Sequence, residues 1–80
     1  MANEHLKEMI LQVVENQINT LNPPETKETF DRLIETGYSE KDTRELIGRV
    51  VVSEIFDVVS QGRKFDHDKY VAALNKLPHF

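Results

Sequence analysis

Apolar residues recur at three- and four-residue steps in four stretches of the chain, the spacing that places side chains on one face of a helix. These stretches predict helices at about residues 3–21, 24–36, 40–61 and 67–76, which together make a single helical domain over residues 1–80. Short connections make consecutive helices neighbours in space. The expected fold is therefore all-α, a compact irregular bundle of about four helices in which the long third helix is central.

Turn and capping residues separate the four stretches. The Asn-Pro-Pro run ending at Pro24 breaks the first helix and allows the second to begin, because proline is tolerated in the first helical turn. Gly37 and Gly62 follow the second and third stretches, where glycine can adopt the left-handed conformation that ends a helix. Ser39 and Asp66 stand just before the third and fourth stretches, where their side chains can cap a helix start.

The third stretch is apolar nearly all round, which indicates a helix that packs on more than one side. Its apolar residues are Leu46, Ile47, Val50, Val51, Val52, Ile55, Phe56, Val58 and Val59. The three consecutive valines are also typical of a strand. A helix is favoured because the capping signal at Ser39 leads into this stretch with no turn between them. Gly48 costs a helix about 1 kcal/mol relative to alanine, and we expect a neighbouring helix to approach closely there.

Composition narrows the class of protein. The 80 residues include no cysteine, which excludes disulfides and cysteine-based zinc sites, and 39% of them are hydrophobic and 30% charged, as in ordinary soluble domains. No apolar run approaches the roughly 20 residues of a membrane-spanning helix, and the first residues do not resemble a signal peptide. These features predict a cytoplasmic protein without a membrane partner.

The net charge of −4 argues against nucleic acid as a partner, because phosphate contacts require a basic surface. A local basic set exists near the C-terminus and consists of Arg63, Lys64, Lys69 and Lys76. The turn Gly37-Tyr38-Ser39 between two helices is similar to that of a helix-turn-helix reader. The helix that would enter the DNA groove, however, begins with acidic residues such as Glu40, which disfavours DNA binding.

The histidines and carboxylates provide few candidates for chemistry. His5 lies between Glu4 and Glu8 at helical spacing, but one histidine at an acidic helix start is more typical of a solvated surface than of a metal site. His67 follows the capping Asp66 directly. The chain has no glycine-rich phosphate loop, nucleophile elbow or cysteine nucleophile. We therefore expect no catalytic residues, no cofactor, no metal and no small-molecule substrate, and the protein is not expected to be an enzyme.

Glu54 and Asp57 stand three residues apart on the predicted third helix. If that side is buried, both carboxylates must be paired or lie at a cleft. Arg44, Arg49 and Arg63 are the expected partners.

Two resemblances to known families follow from short motifs. The stretch 33–47, with its Gly37-Tyr38-Ser39 turn, is similar to the first loop of ubiquitin-associated domains, although Thr36 replaces the methionine of that family and the next helix is longer. The order of elements also resembles the C-terminal part of an uncharacterised bacterial family known only as a domain of unknown function. The shared positions are His5-Leu6, Gln17, Asn22-Pro23-Pro24, Phe30-x-x-Leu33, Gly37-x-Ser39, Gly62-Arg63-x-Phe65-Asp66-x-x-x-Tyr70 and Leu74.

This second resemblance implies a bacterial helical domain and no known activity. Met9 occupies the position where that family tends to carry a second histidine, four residues after His5. The resemblance therefore implies no metal or catalytic role for His5.

The leading functional hypothesis is a protein–protein interaction module that self-associates, most simply as a two-fold homodimer. Three neighbouring helices, two of them short, are too few to cover a third helix that is apolar on several sides, and leftover apolar surface is typical of an interface. The expected interaction residues are Val51, Val52, Val58 and Val59, with Met9 and Val13 as alternatives. The second hypothesis is a nucleic-acid-associated regulator that uses the basic set, and a metal-dependent enzyme is a distant third.

Overall fold

The computed structural model describes residues 2–79 and the side chains of residues 4–79. Within this part of the chain there are four helices and no strand. They are α1 (Ala2–Thr20), α2 (Pro24–Glu35), α3 (Glu40–Gln61) and α4 (His67–Lys76). The all-α bundle predicted from the sequence is confirmed.

The helix ends form where the local sequence favours them. The Ser39 hydroxyl accepts a hydrogen bond from the Asp42 backbone N–H (3.1 Å), and the Asp66 carboxylate accepts one from the Lys69 N–H (3.1 Å). These side chains satisfy N–H groups that have no partner within the helix. Gly62 ends α3 in the left-handed conformation with φ +64°. Leu21 also has a positive φ of +54°, which explains why α1 ends at Thr20, one residue earlier than predicted.

Helix α3 packs against α1, α2 and α4, which confirms its central position. All four helices contribute to the core. Its buried apolar residues are Val14, Ile18, Leu33, Ile47, Val50, Val51, Tyr70, Leu74 and Leu77. A Cβ atom added at Gly48 would lie 3.4 Å from Ile10 Cγ2 of α1. The expected close approach of a neighbouring helix at this glycine is therefore confirmed.

Polar contacts fix α4 against the rest of the bundle. The Gln17 Oε1 atom of α1 accepts hydrogen bonds from the Thr26 hydroxyl of α2 and the Tyr70 hydroxyl of α4, both at 2.8 Å. At the other end of α4, the Arg32 guanidinium donates to the backbone carbonyls of Leu77 (2.9 Å) and Leu74 (3.1 Å). Because buried polar groups are costly unless they are hydrogen-bonded, these contacts specify how α4 docks.

Candidate interaction surface and its two grooves

The four valines predicted for an interface occupy different environments. Val52 and Val59 are 46% and 77% exposed, and Val58 is half-buried. Val51 is only 4% exposed and lies in the core, which corrects its predicted place at the surface. Val51 follows Ile47 by four residues, so it shares the core-facing side of α3 with that buried isoleucine.

A larger exposed surface surrounds Val52 and Val59. We call it the apolar face, and it consists of Leu6, Met9 and Val13 of α1 with Val52, Ile55, Phe56 and Val59 of α3. Within each helix these residues follow at three- and four-residue steps, so they form one stripe per helix. The alternatives Met9 and Val13 thus belong to it, whereas Leu6, Ile55 and Phe56 were not predicted as interaction residues.

The apolar face is large for a domain of this size. Its members are between 36% and 77% exposed. If a fully exposed side chain of this kind offers about 150 to 200 Å², the seven together present roughly 600 Å² of apolar surface. That area is about a tenth of the total accessible surface of 5596 Å². On a typical monomer the largest apolar patch measures about 300 to 600 Å², so the apolar face lies at the upper end of that range.

Two grooves run between the stripes of α1 and α3. The first, the Gly48 groove, has a volume of about 410 Å³ and is lined by Leu6, Ile10, Leu11, Gly48 and Val52 together with Lys7, Glu45 and Arg49. Lys7 Nζ lies 3.1 Å from Glu45 Oε2 at its rim. The hydrogen bond and the positive charge of Lys7 lower the pKa of Glu45. The groove thus has an apolar floor beneath a charged rim.

The second groove, the Glu54 groove, lies between α1, α3 and the start of α4 and has a volume of about 230 Å³. It is lined by Val13, Gln17, Val51, Glu54, Ile55, Val58, Val59, Phe65 and Tyr70. The rings of Phe65 and Tyr70 meet at a centroid distance of 5.6 Å, in the hydrophobic-staple pairing that their spacing around Asp66 indicates. Burial raises the pKa of Tyr70, against the opposing effect of hydrogen bonds with Thr26 and Gln17.

Glu54 is the one acidic residue in this groove, and only 6% of its surface is exposed. Among the described residues it makes neither a hydrogen bond nor an ion pair. Asp57, its neighbour on α3, pairs with Lys69 of α4.

Arg44 instead binds Glu15 of α1, with Nε 2.8 Å from Oε2. The second ion pair of Arg44 is with Glu40 of its own helix, at 3.5 Å. The prediction that Arg44 pairs with Glu54 or Asp57 is therefore wrong, because Arg44 reaches Glu15 and Glu40 while Asp57 pairs with α4.

The remaining candidates do not assemble into a site. His5 is exposed, and no three His, Cys, Asp or Glu side chains between residues 4 and 79 are arranged to hold a metal ion. His67 Nε2 lies 3.5 Å from Glu25 Oε2, a contact between α4 and α2 that the sequence did not reveal. None of the helices described above is long and apolar enough to cross a bilayer.

The basic set is mixed with acidic side chains. Arg63, Lys64 and Lys69 line a small depression, but the same depression contains three carboxylates, those of Glu54, Asp57 and Asp66. Lys69 is already paired with Asp57. The depression therefore does not offer a uniformly positive surface to a phosphate backbone.

Comparison with models of protein families, with curated protein sequences and with solved structures finds no match to this chain.

Proposed function

We propose that this protein works by protein–protein contact, and that it self-associates as a two-fold dimer through the apolar face. The observation that supports this proposal is the exposure of seven large apolar side chains in stripes on α1 and α3. Burying such a surface is favourable by about 25 cal/mol for each Å² of apolar area removed from water. A second copy of the chain is the occupant that brings an equal apolar area to the contact.

The size of the apolar face supports a dimer. A stable interface buries about 800 Å² on each partner, of which somewhat more than half is apolar. The roughly 600 Å² of the apolar face would supply that apolar share if polar side chains at its edge made up the rest. The charged pair Lys7–Glu45 lies at this edge, where a polar rim is expected.

The shape of the face supports pairing with itself. Phe56 and Val59 are the most exposed members, at 67% and 77%. The same face also holds recesses, because Val52 lines the Gly48 groove of about 410 Å³ and Val59 lines the Glu54 groove of about 230 Å³. A two-fold interface must be self-complementary, with each copy contributing both protrusions and recesses. Projecting side chains of one copy and grooves of the other meet that requirement.

The experiment is a measurement of molar mass by light scattering after size exclusion, over a series of protein concentrations. We expect a mass approaching twice 9.3 kDa at the higher concentrations. Phe56→Asp should shift the protein to a monomer, because it places a charge in the centre of an apolar contact.

Ser53→Asp is the matched control, because Ser53 is exposed on the same helix but lies outside the apolar face. It introduces the same charge and should leave the mass unchanged. Circular dichroism of each variant separates loss of association from loss of folding. A parent chain that remains monomeric throughout the series contradicts the proposal, as does a Ser53→Asp variant that dissociates as readily as Phe56→Asp.

A further inference from the structure

We propose that the Glu54 groove is a binding site for an alkylammonium cation, meaning a primary amine carried on a short aliphatic chain. The site needs one copy of the chain only. Because Val13, Ile55 and Val59 belong both to this groove and to the apolar face, amine binding and the proposed self-association would compete for the same residues. The inference is carried by a glutamate that is largely buried and has no partner among the described residues, in a recess lined mostly by apolar side chains.

The carboxylate of Glu54 is the first part of the argument. Glu54 is 94% buried, as its exposed fraction of 6% implies, and it makes no hydrogen bond or ion pair with any described residue. Its carboxylate oxygens are not among the described side-chain atoms that are both fully buried and unpaired, which are Glu25 Oε1 and Thr43 Oγ1. The carboxylate therefore remains accessible to a ligand, although most of the residue is covered. A cation bound from outside would supply the missing partner.

Nearby donors are already engaged elsewhere. The Tyr70 hydroxyl, which lines the same groove, donates to Gln17 Oε1 at 2.8 Å. The Lys69 ammonium pairs with Asp57. Arg63 and Lys64 line only the neighbouring depression, where they face Glu54 together with Asp57 and Asp66. Within residues 4–79 these two cations are the internal competitors for Glu54, and the experiment tests them directly.

The walls of the groove select the kind of cation. Aliphatic side chains of Val13, Ile55 and Val59 offer an apolar lining for a hydrocarbon chain. The rings of Phe65 and Tyr70, whose centroids are 5.6 Å apart, place aromatic surface at the same recess. A cation near an aromatic ring is attracted by the charge distribution of the ring. Carboxylate, aromatic rings and aliphatic walls together match an amine at the end of an alkyl chain.

The size of the groove and the number of acceptors favour a short amine. The volume of about 230 Å³ lies below the range of about 300 to 1,000 Å³ that is typical for drug-sized ligands. An ammonium group has three N–H donors, whereas a guanidinium has five that need acceptors. Since Gln17 Oε1 already accepts two hydrogen bonds, Glu54 is the charged acceptor that remains for the ligand.

The experiment is a titration with n-pentylamine at neutral pH, followed by the amide chemical shifts of the ¹⁵N-labelled chain. We expect saturable shifts at residues around the groove, and binding of n-pentanol that is weaker by about tenfold or more because it lacks the charge. Glu54→Gln, which keeps the shape of the side chain, should weaken amine binding to the level of the alcohol. Glu45→Gln is the control, because Glu45 belongs to the Gly48 groove and is paired with Lys7.

The same titration is repeated on the Phe56→Asp variant. This substitution leaves the lining of the Glu54 groove intact, and it is expected to remove a dimer that would cover the groove. Three results would overturn the inference. They are equal binding of amine and alcohol, unchanged amine binding by Glu54→Gln, and amine binding that appears only when Arg63 and Lys64 are both replaced by alanine. Light scattering on the same samples measures self-association separately, so failure of the amine-binding proposal can be distinguished from failure of the dimer proposal.

Discussion

Replacing Gly48 by alanine is expected to stabilise the protein, although this glycine lies where α1 crosses α3. Alanine is about 1 kcal/mol more favourable than glycine in a helix interior. The new Cβ atom would lie 3.4 Å from Ile10 Cγ2 and 3.9 Å from Leu11 Cδ2. These are separations of ordinary van der Waals contact, so the methyl group adds contacts without forcing the helices apart.

The net gain for Gly48→Ala is therefore about 1 kcal/mol, since the gain in helix propensity is not offset by a clash. For a domain of this length, a change of that size raises the melting temperature by about 4 to 8 °C. Gly48→Leu is the paired variant. Its longer side chain must displace Ile10 or Leu11, and overpacking of this kind costs about 1 to 3 kcal/mol.

The assay is thermal and urea unfolding followed by circular dichroism at one fixed protein concentration, because association would make the melting temperature depend on concentration. A Gly48→Ala variant that melts below the parent would refute the reasoning. It would mean that α1 and α3 pack more tightly than the 3.4 Å separation indicates. Equal stability of the alanine and leucine variants would likewise show that Ile10 does not limit the space at this position.

Two further predictions concern the docking of α4. Burial raises the pKa of Tyr70 above the ordinary value of 10.0, so the folded chain keeps a proton that the unfolded chain loses, and the free energy of unfolding should decline as the pH rises above about 10. Tyr70→Phe should remove that part of the decline, which urea unfolding between neutral and alkaline pH measures. An identical decline in both proteins would contradict the assignment to Tyr70. Arg32→Ala removes two hydrogen bonds to backbone carbonyls at the end of α4, each worth about 1 kcal/mol. The variant should therefore show faster hydrogen exchange at the last amides of α4. Unchanged exchange would show that these hydrogen bonds do not hold the helix end.

The helices could be predicted because their signals are local. Ser39 and Asp66 each bind a backbone N–H three residues further on, so the residues that make the cap stand together in the sequence. Gly62 adopts a conformation that few other residues tolerate, which marks the end of α3 without knowledge of the fold. Where the signal was weaker, at Leu21, the helix end was misplaced by one residue.

The depth of burial along a stripe could not be predicted in the same way. Periodicity places Leu6, Met9 and Val14 together on the apolar side of α1, yet Val14 is fully buried while the other two are 55% exposed. Which part of a wide stripe is covered depends on how α1 crosses α3. For the same reason the sequence indicated leftover apolar surface on α3 but could not separate the buried Val51 from the exposed Val52.

The partners of charged residues also depend on the tertiary arrangement. Asp57 pairs with Lys69, which lies twelve residues away across the turn between α3 and α4. The conformation of that turn sets the distance between Asp57 and Lys69, and the residue spacing within α3 carries no information about it. Lys69, which lines the same depression as Glu54, is therefore already engaged by the neighbouring carboxylate of Asp57.

The apolar face and the Glu54 groove share Val13, Ile55 and Val59, and the groove also borders the short helix α4. Helix α4 has 10 residues against 22 in α3, and it packs against α2 and α3. Its first turn and the preceding Phe65 close one end of the Glu54 groove, while Val52, Ile55 and Val59 are left without cover. A domain of 80 residues has a small core and gains much from any further apolar burial. The proposed self-association and the proposed amine binding would therefore involve neighbouring residues of α3 that also contribute to the fold. A variant in one of these residues must be assayed for folding stability, molar mass and amine binding together.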